Sequence, residues 1–269
     1  MAEIFGLDAI APKDVAERVS DAGVAKARLP SLALALLGVL AGAFIGLGAL
    51  LFALVASDAS LGFAATRLLG GLAFSVGLIL VTVAGAELFT GNNLIAIAWA
   101  SGRVSTSGLL RNWTLACVGN AVGAGALALM VWLSGRAALN HGALGQTVLR
   151  LAEAKVQMPL VEAFFSGMLC NVLVCMAVWM AQAGRSVTDK VLAIVFPITA
   201  FVAAGFEHSI ANLFYFPLAA LLGAPLGVAD MLHNLLPVIA GNIVGGSVLV
   251  AGGYWIIYLW PGAALRKDQ

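Results

Sequence analysis

The chain has 269 residues, 62% of them hydrophobic and 10% charged, with 14 Lys and Arg against 13 Asp and Glu for a formal net charge of +1. A soluble globular chain carries about 25% charged residues, and no water-soluble domain of this length has interior enough for so much apolar surface. A soluble fold is excluded, and the near-neutral balance argues against a nucleic-acid partner.

The first thirty residues are polar and mixed in charge (Lys13, Asp14, Glu17, Arg18, Asp21, Lys26, Arg28). They read as a separate amphipathic helix on a membrane surface. They lack the basic start and apolar core of a signal peptide. Six spans are predicted to follow, roughly 31 to 56, 67 to 100, 110 to 133, 159 to 182, 190 to 222 and 231 to 259. Between Pro30 and Arg67 the only ionisable side chain is Asp58, and between Arg111 and Arg136 there is none. Such stretches suffice to cross a bilayer, which takes roughly 20 residues at 1.5 Å each. The predicted organisation is therefore an all-α membrane protein: segment 1–30, a six-helix transmembrane domain over 31–260, and a tail over 261–269.

The second and fifth spans are too long for one straight crossing. Polar and glycine residues interrupt them at Gly85 to Asn93 and at Gly205 to Ser209. Backbone that leaves the helix at membrane depth must be buried in protein or line a wet cavity, because lipid cannot satisfy its N–H and C=O groups. The breaks point at a pathway. Lys and Arg set the orientation: Lys13, Arg18, Lys26, Arg28, Arg103, Arg111, Arg185, Lys190, Arg266 and Lys267 fall on one side, and Arg67, Arg136, Arg150 and Lys155 on the other. That bias predicts both termini in the cytoplasm. Cys117, Cys170 and Cys175 lie in apolar segments without metal-site spacing and read as packing residues. No metal or other cofactor is expected.

Two motifs recur at one offset. Gly85-x-Glu87 with Asn92 returns as Gly205-x-Glu207 with Asn212, and Gly119-Asn120-x-Val122-Gly123 returns as Gly241-Asn242-x-Val244-Gly245. Three spans per repeat, an odd number, invert one half against the other, with repeats over about 31–133 and 159–259 and broken helices meeting near the midplane. For the glycines, close helix packing is an equally good reading.

A charge at membrane depth costs about 2.5 kcal/mol or more on insertion scales, so its presence needs a reason. Glu87, Glu207 and His208 sit in the breaks. The preferred reading of the glutamates is that they hydrogen-bond the backbone N–H groups freed there and hold the break open. His208 is either a bonded core histidine or a group that exchanges protons near neutral pH. Lys155, taken alone, reads as an interfacial lysine. Phe74, Phe89 and Phe201 fit ordinary packing, although Phe89 lies in the first break, where a ring can plug a passage. No G-x-S-x-G, H-E-x-x-H, Walker loop or G-x-G-x-x-G occurs, so no catalytic residue is named and an enzyme is not expected.

At Gly70-Gly71-Leu72-Ala73-Phe74-Ser75, Gly85-Ala86-Glu87-Leu88-Phe89-Thr90, Gly205-Phe206-Glu207-His208-Ser209-Ile210-Ala211-Asn212 and Gly241-Asn242-Ile243-Val244-Gly245-Gly246 the sequence resembles the formate/nitrite transporter family, most closely its formate-channel branch. The resemblance implies an aquaporin-like six-helix protomer in a homopentamer of the bacterial inner membrane, each protomer with its own pore. It implies that Leu78, Phe89 and Val174 form a cytoplasmic constriction beside a mobile loop at 88–93, and that Phe74 and Phe201 form a periplasmic one. Thr90 and His208 would lie between them, Asn171 and Asn242 would line the pore, and Lys155 would draw in anions. Gly91 departs from the serine that often follows this threonine in the family.

The implied solutes are formate and similar monovalent anions, with nitrite or hydrosulfide as the alternative and acetate and lactate as competitors. A bare anion meets a large desolvation cost at two aromatic constrictions. Stripping its water raises its pKa. It would then take a proton through His208 or water and cross as the neutral acid, without ATP.

Overall fold

The computed structural model describes residues 10–260; the predicted tail, with Arg266 and Lys267, and the first nine residues lie outside them. Among the described residues all regular structure is helical. Helix α1 (Pro12–Ala27) leads into α2 (Ser31–Ala56) and α3 (Phe63–Gly85), whose last turn is π-wound from Leu80. After the first break, α4 covers residues 89–100 and includes a 3-10 turn at Asn93–Ile95. The long α5 (Thr106–Leu133) and the short α6 (Ala143–Val156) complete this part. Then come α7 (Leu160–Ala183), α8 (Val187–Ala204), the second break, α9 (Ser209–Leu221) and α10 (Val228–Leu259). Six of these helices, α2, α3, α5, α7, α8 and α10, are long and apolar enough to cross a membrane.

Capping explains where spans begin earlier than hydropathy predicts. Ser105 Oγ accepts from Gly108 N at 3.1 Å and starts α5 at Thr106. Ser186 and Asp189 form a capping box that starts α8, and Asp230 Oδ2 accepts from Gly227 N at 2.8 Å ahead of α10. These polar residues satisfy N–H groups that the first turn leaves unpaired, and a hydropathy average cannot register that.

The G-N-x-V-G glycines serve close packing. A Cβ on Gly119 or Gly123 would run into the backbone of α2 at Ala35 and Val39, and one on Gly241 or Gly245 into α7 at Phe164 and Met168. Small residues let helix backbones approach where no hydrophobic driving force separates protein from lipid.

Helix α1 differs from its prediction. Val15, Ala16, Val19, Ser20 and Gly23 are buried, and a Cβ on Gly23 would lie 3.2 Å from the Ala98 methyl carbon. Arg103 Nη2 pairs with Asp21 at 2.7 Å, and Ile10 N donates to Ala183 O at 3.4 Å. The apolar face is spent on protein, not on lipid. These contacts also gather α1, the 101–105 connection and the end of α7 at one end of the molecule, the grouping that the charge count predicts.

The repeat reaches further than residues 31 and 159. Both α1 and α6 carry their lysine, Lys26 or Lys155, in the last turn. Ala25-Lys26-x-x-Leu29-Pro30 corresponds to Ala154-Lys155-x-x-Met158-Pro159, and in each case the proline sits at the N-cap of the next helix. Proline cannot continue the preceding helix and has no N–H to lose at the start of the next. The division between segment 1–30 and the channel domain therefore cuts through the first structural repeat.

Candidate functional site

Each break opens at a glycine in the left-handed region, Gly85 at φ 86° and Gly205 at φ 80°, a conformation that other residues adopt only under strain. The freed backbone groups are taken by asparagines. Asn120 Oδ1 accepts from Phe89 N at 2.9 Å, and its Nδ2 donates to Gly38 O at 2.8 Å and Glu87 O at 3.0 Å. Asn242 Oδ1 accepts from Ser209 N at 3.1 Å, and its Nδ2 donates to Gly167 O at 2.7 Å and Glu207 O at 3.2 Å. The same three bonds occur in both halves.

The glutamate reading is thereby corrected. Glu87 Oε1 accepts from Lys26 Nζ at 2.7 Å and Oε2 from Asn92 Nδ2 at 2.7 Å. Asn92 Nδ2 also reaches Asn112 Oδ1 at 2.9 Å, and Asn112 Nδ2 closes the ring on Lys26 O at 3.1 Å. In the second half Glu207 Oε1 accepts from Lys155 Nζ at 2.6 Å and Oε2 from Asn212 Nδ2 at 2.7 Å. Asn212 Nδ2 reaches Asn234 Oδ1 at 2.7 Å, and Asn234 Nδ2 returns to Lys155 O at 2.9 Å. The carboxylates hold lysines and amides, not backbone N–H groups, because the Asn120 and Asn242 amides already occupy the break. Lys155 is no free interfacial lysine either: its side chain is 14% exposed and ion-paired.

Two cavities adjoin these rings. One, of about 410 Å³, is lined by Lys26, Glu87, Leu88, Gly91 and Leu78 among others. The second, of about 200 Å³, is lined by Lys155, Glu207, His208, Phe74, Phe201 and Arg67 among others. Phe74 and Leu78 lie one turn apart on α3 and face different cavities. The Phe74 and Phe201 rings meet edge to face with centroids 5.5 Å apart, and Phe201 stacks on the His208 imidazole at 5.8 Å. Phe89 and Val174 are buried with Leu78 in the central apolar cluster and line neither cavity.

Joining the two breaks, Thr90 Oγ1 and His208 Nε2 are 3.1 Å apart, both side chains being buried. His208 Nδ1 accepts the Ala211 N–H at 3.2 Å. A nitrogen that accepts carries no proton, so the neutral ring bears its hydrogen on Nε2. His208 then donates to Thr90, and the Thr90 hydroxyl keeps its own hydrogen for another acceptor. Asn171 and Asn242 are the asparagines to which the resemblance gives a pore-lining role. Both are fully buried and line neither cavity; Asn171 Nδ2 contacts Asn93 Oδ1 at 2.8 Å and Asn242 O at 2.6 Å. They brace the breaks against each other.

A family model described as formate/nitrite transporter matches residues 13–256. The chain belongs to the formate/nitrite transporter family. A formate/nitrite relative, the formate channel FocA of Escherichia coli K12, is 41% identical over 94% of this chain and 95% of its own. A solved structure described as a pentameric formate channel with formate bound superposes with a TM-score of 0.78 at 39% identity, covering 86% of this chain and 98% of that one. Another, described as an FNT family ion channel, gives 0.83 at 33% identity over 90% and 98%.

Sequence reasoning missed Lys26, Asn112, Asn234 and Arg67 as members of the site. The recurrence of Ala-Lys-x-x-[Leu/Met]-Pro was a readable signal for Lys26. None existed for Arg67, which lies among apolar residues of α3 until the fold brings Ala203 and Gly205 to it.

Proposed function

We propose that this chain is a channel for formate and similar small monovalent anions, in a bacterial inner membrane with both termini cytoplasmic, five copies assembling with one pathway each. One observation carries the reading: the buried Thr90–His208 hydrogen bond joins the two breaks, and each break contributes its glutamate to a cavity that also holds the paired lysine. The named relatives are formate channels, which puts formate ahead of nitrite or hydrosulfide, and the pentameric relative supports the assembly. The Lys155 cavity then faces the periplasm and the Lys26 cavity the cytoplasm.

An anion entering the Lys155 cavity meets the Phe74 and Phe201 rings, which return none of its hydration. Its proton affinity rises as water is stripped away. Because His208 Nδ1 is committed to the Ala211 amide, delivery by water is the better-supported of the two proton routes. His208 holds the Thr90 hydroxyl as a donor toward the carboxyl oxygen, and the neutral acid passes Leu78, Phe89 and Val174. Stopped-flow uptake into proteoliposomes at two pH values, with formate, nitrite, acetate, lactate and hydrosulfide, tests this. Formate flux should rise at the lower pH, and His208→Phe should lower flux while keeping the slope of the pH profile. A flattened profile in His208→Phe would restore the relay through the ring; absence of formate flux in the wild type would end the proposal.

A further inference from the structure

The two cavities match in their lysine–glutamate pairs and differ in the charge that remains. At 2.7 Å and 2.6 Å each pair presents a dipole to a distant solute, since the two Coulomb terms nearly cancel beyond a few times their separation. Among the described residues the Lys26 cavity has no other ionisable lining residue. The Lys155 cavity has three more, Tyr215, His208 and Arg67; the Tyr215 hydroxyl donates to Ala49 O at 2.8 Å and is uncharged, and the hydrogen bonding of His208 is that of the neutral ring.

Arg67 is different. Its Nε donates to Ala203 O at 2.9 Å, capping the end of α8, and its guanidinium lies against Gly205, where a Cβ would collide with Nη2. No carboxylate pairs with it among the described residues. A guanidinium stays charged at any physiological pH and offers paired donors that match a carboxylate.

We propose that Arg67 is the anion-capture residue of the Lys155 cavity, and that it makes capture from that side stronger than from the Lys26 side. The inference rests on the anion-channel reading. One unit charge at about 6 Å in water is worth about three-fold in local anion concentration.

The test is formate entry against concentration in right-side-out and inside-out membrane vesicles holding the full chain. Arg67→Gln should raise the half-saturating formate concentration about three-fold from the Arg67 side. Maximal flux from that side should rise in the same proportion, because a passive pathway has one low-concentration permeability for both directions; half-saturation from the other side should stay unchanged, and Arg67→Lys should restore most of the lost affinity. Equal half-saturation in Arg67→Gln and wild type, or an equal rise on both sides, overturns the inference. A second measurement needs no variant. Raising ionic strength should raise the wild-type half-saturating concentration from the Arg67 side more than from the other, because exposed charges are screened; an equal rise on both sides overturns the inference as well. Wild-type vesicles with no formate flux sink the channel reading itself, whereas wild-type flux with an indifferent Arg67→Gln sinks only this step.

Discussion

The two halves share a frame and differ in what fills it. Lys26, Glu87, Asn92, Asn112 and Asn120 have counterparts in Lys155, Glu207, Asn212, Asn234 and Asn242 that repeat the ring and brace bonds. Lys26 Nζ also reaches Asn92 Oδ1 at 3.0 Å, whereas among the described residues Asn212 Oδ1 receives no such bond. After each glutamate the symmetry fails: Leu88 stands where the second half has His208, and Thr90 stands where it has Ile210. Three polar residues break the correspondence, Thr90, His208 and Ser209, the last opposite Phe89, and two of them, Thr90 and His208, bond each other across the centre. Repetition satisfies the backbone of two broken helices, and departure from it falls at the residues to which the proposed function assigns the solute chemistry.

The largest expected effect tests the frame. Removing one partner of a buried ion pair costs about 3–5 kcal/mol, because the other charge is left unpaired. Glu207→Ala should therefore destabilise the detergent-purified protein strongly in thermal unfolding. Glu87→Ala should do so less, because Lys26 is 34% exposed against 14% for Lys155 and keeps more of its water. Equal losses would mean that exposure does not decide the cost.

Next come the braces. Asn242→Leu and Asn120→Leu each strand a buried N–H and two carbonyls, at about 1–3 kcal/mol per unsatisfied group. Their unfolding temperatures should fall by similar amounts, since the bonds removed are the same. A large difference would show that the halves are not energetically equivalent.

The smallest effect falls on the departure from symmetry. Thr90→Val keeps the shape and removes the hydroxyl, so stability should change by about 1 kcal/mol and formate flux should drop about ten-fold, the worth of one hydrogen bond. Ile210→Val, at the equivalent position in the other half, should leave flux unchanged in the same assay.

Much of this was legible beforehand. The six spans follow from apolar length, and the breaks from Gly85 and Gly205 beside carboxylates that lipid does not tolerate. The roles within the breaks were less legible. A glutamate beside freed N–H groups looks like their acceptor; only the approach of α5 and α10 shows that Asn120 and Asn242 arrive first. The pore-lining role of Asn171 and Asn242 is implied by the resemblance alone; in the fold their amides donate to backbone carbonyls, as buried amides commonly do. Helix α1 looked like a surface helix because its apolar face, seen alone, fits lipid and protein equally.

The sequence alone determined that the chain fills a membrane, that it is built twice, and where each copy must leave the helix, because apolar length, charge scarcity and glycine placement act locally along the chain. Tertiary structure decided which partner each charge takes. Lys26 lies 61 residues from Glu87 and Lys155 lies 52 from Glu207, so no local periodicity encodes either pair. An ion pair is fixed by distance in space, and so is the lack of a carboxylate beside Arg67 among the described residues.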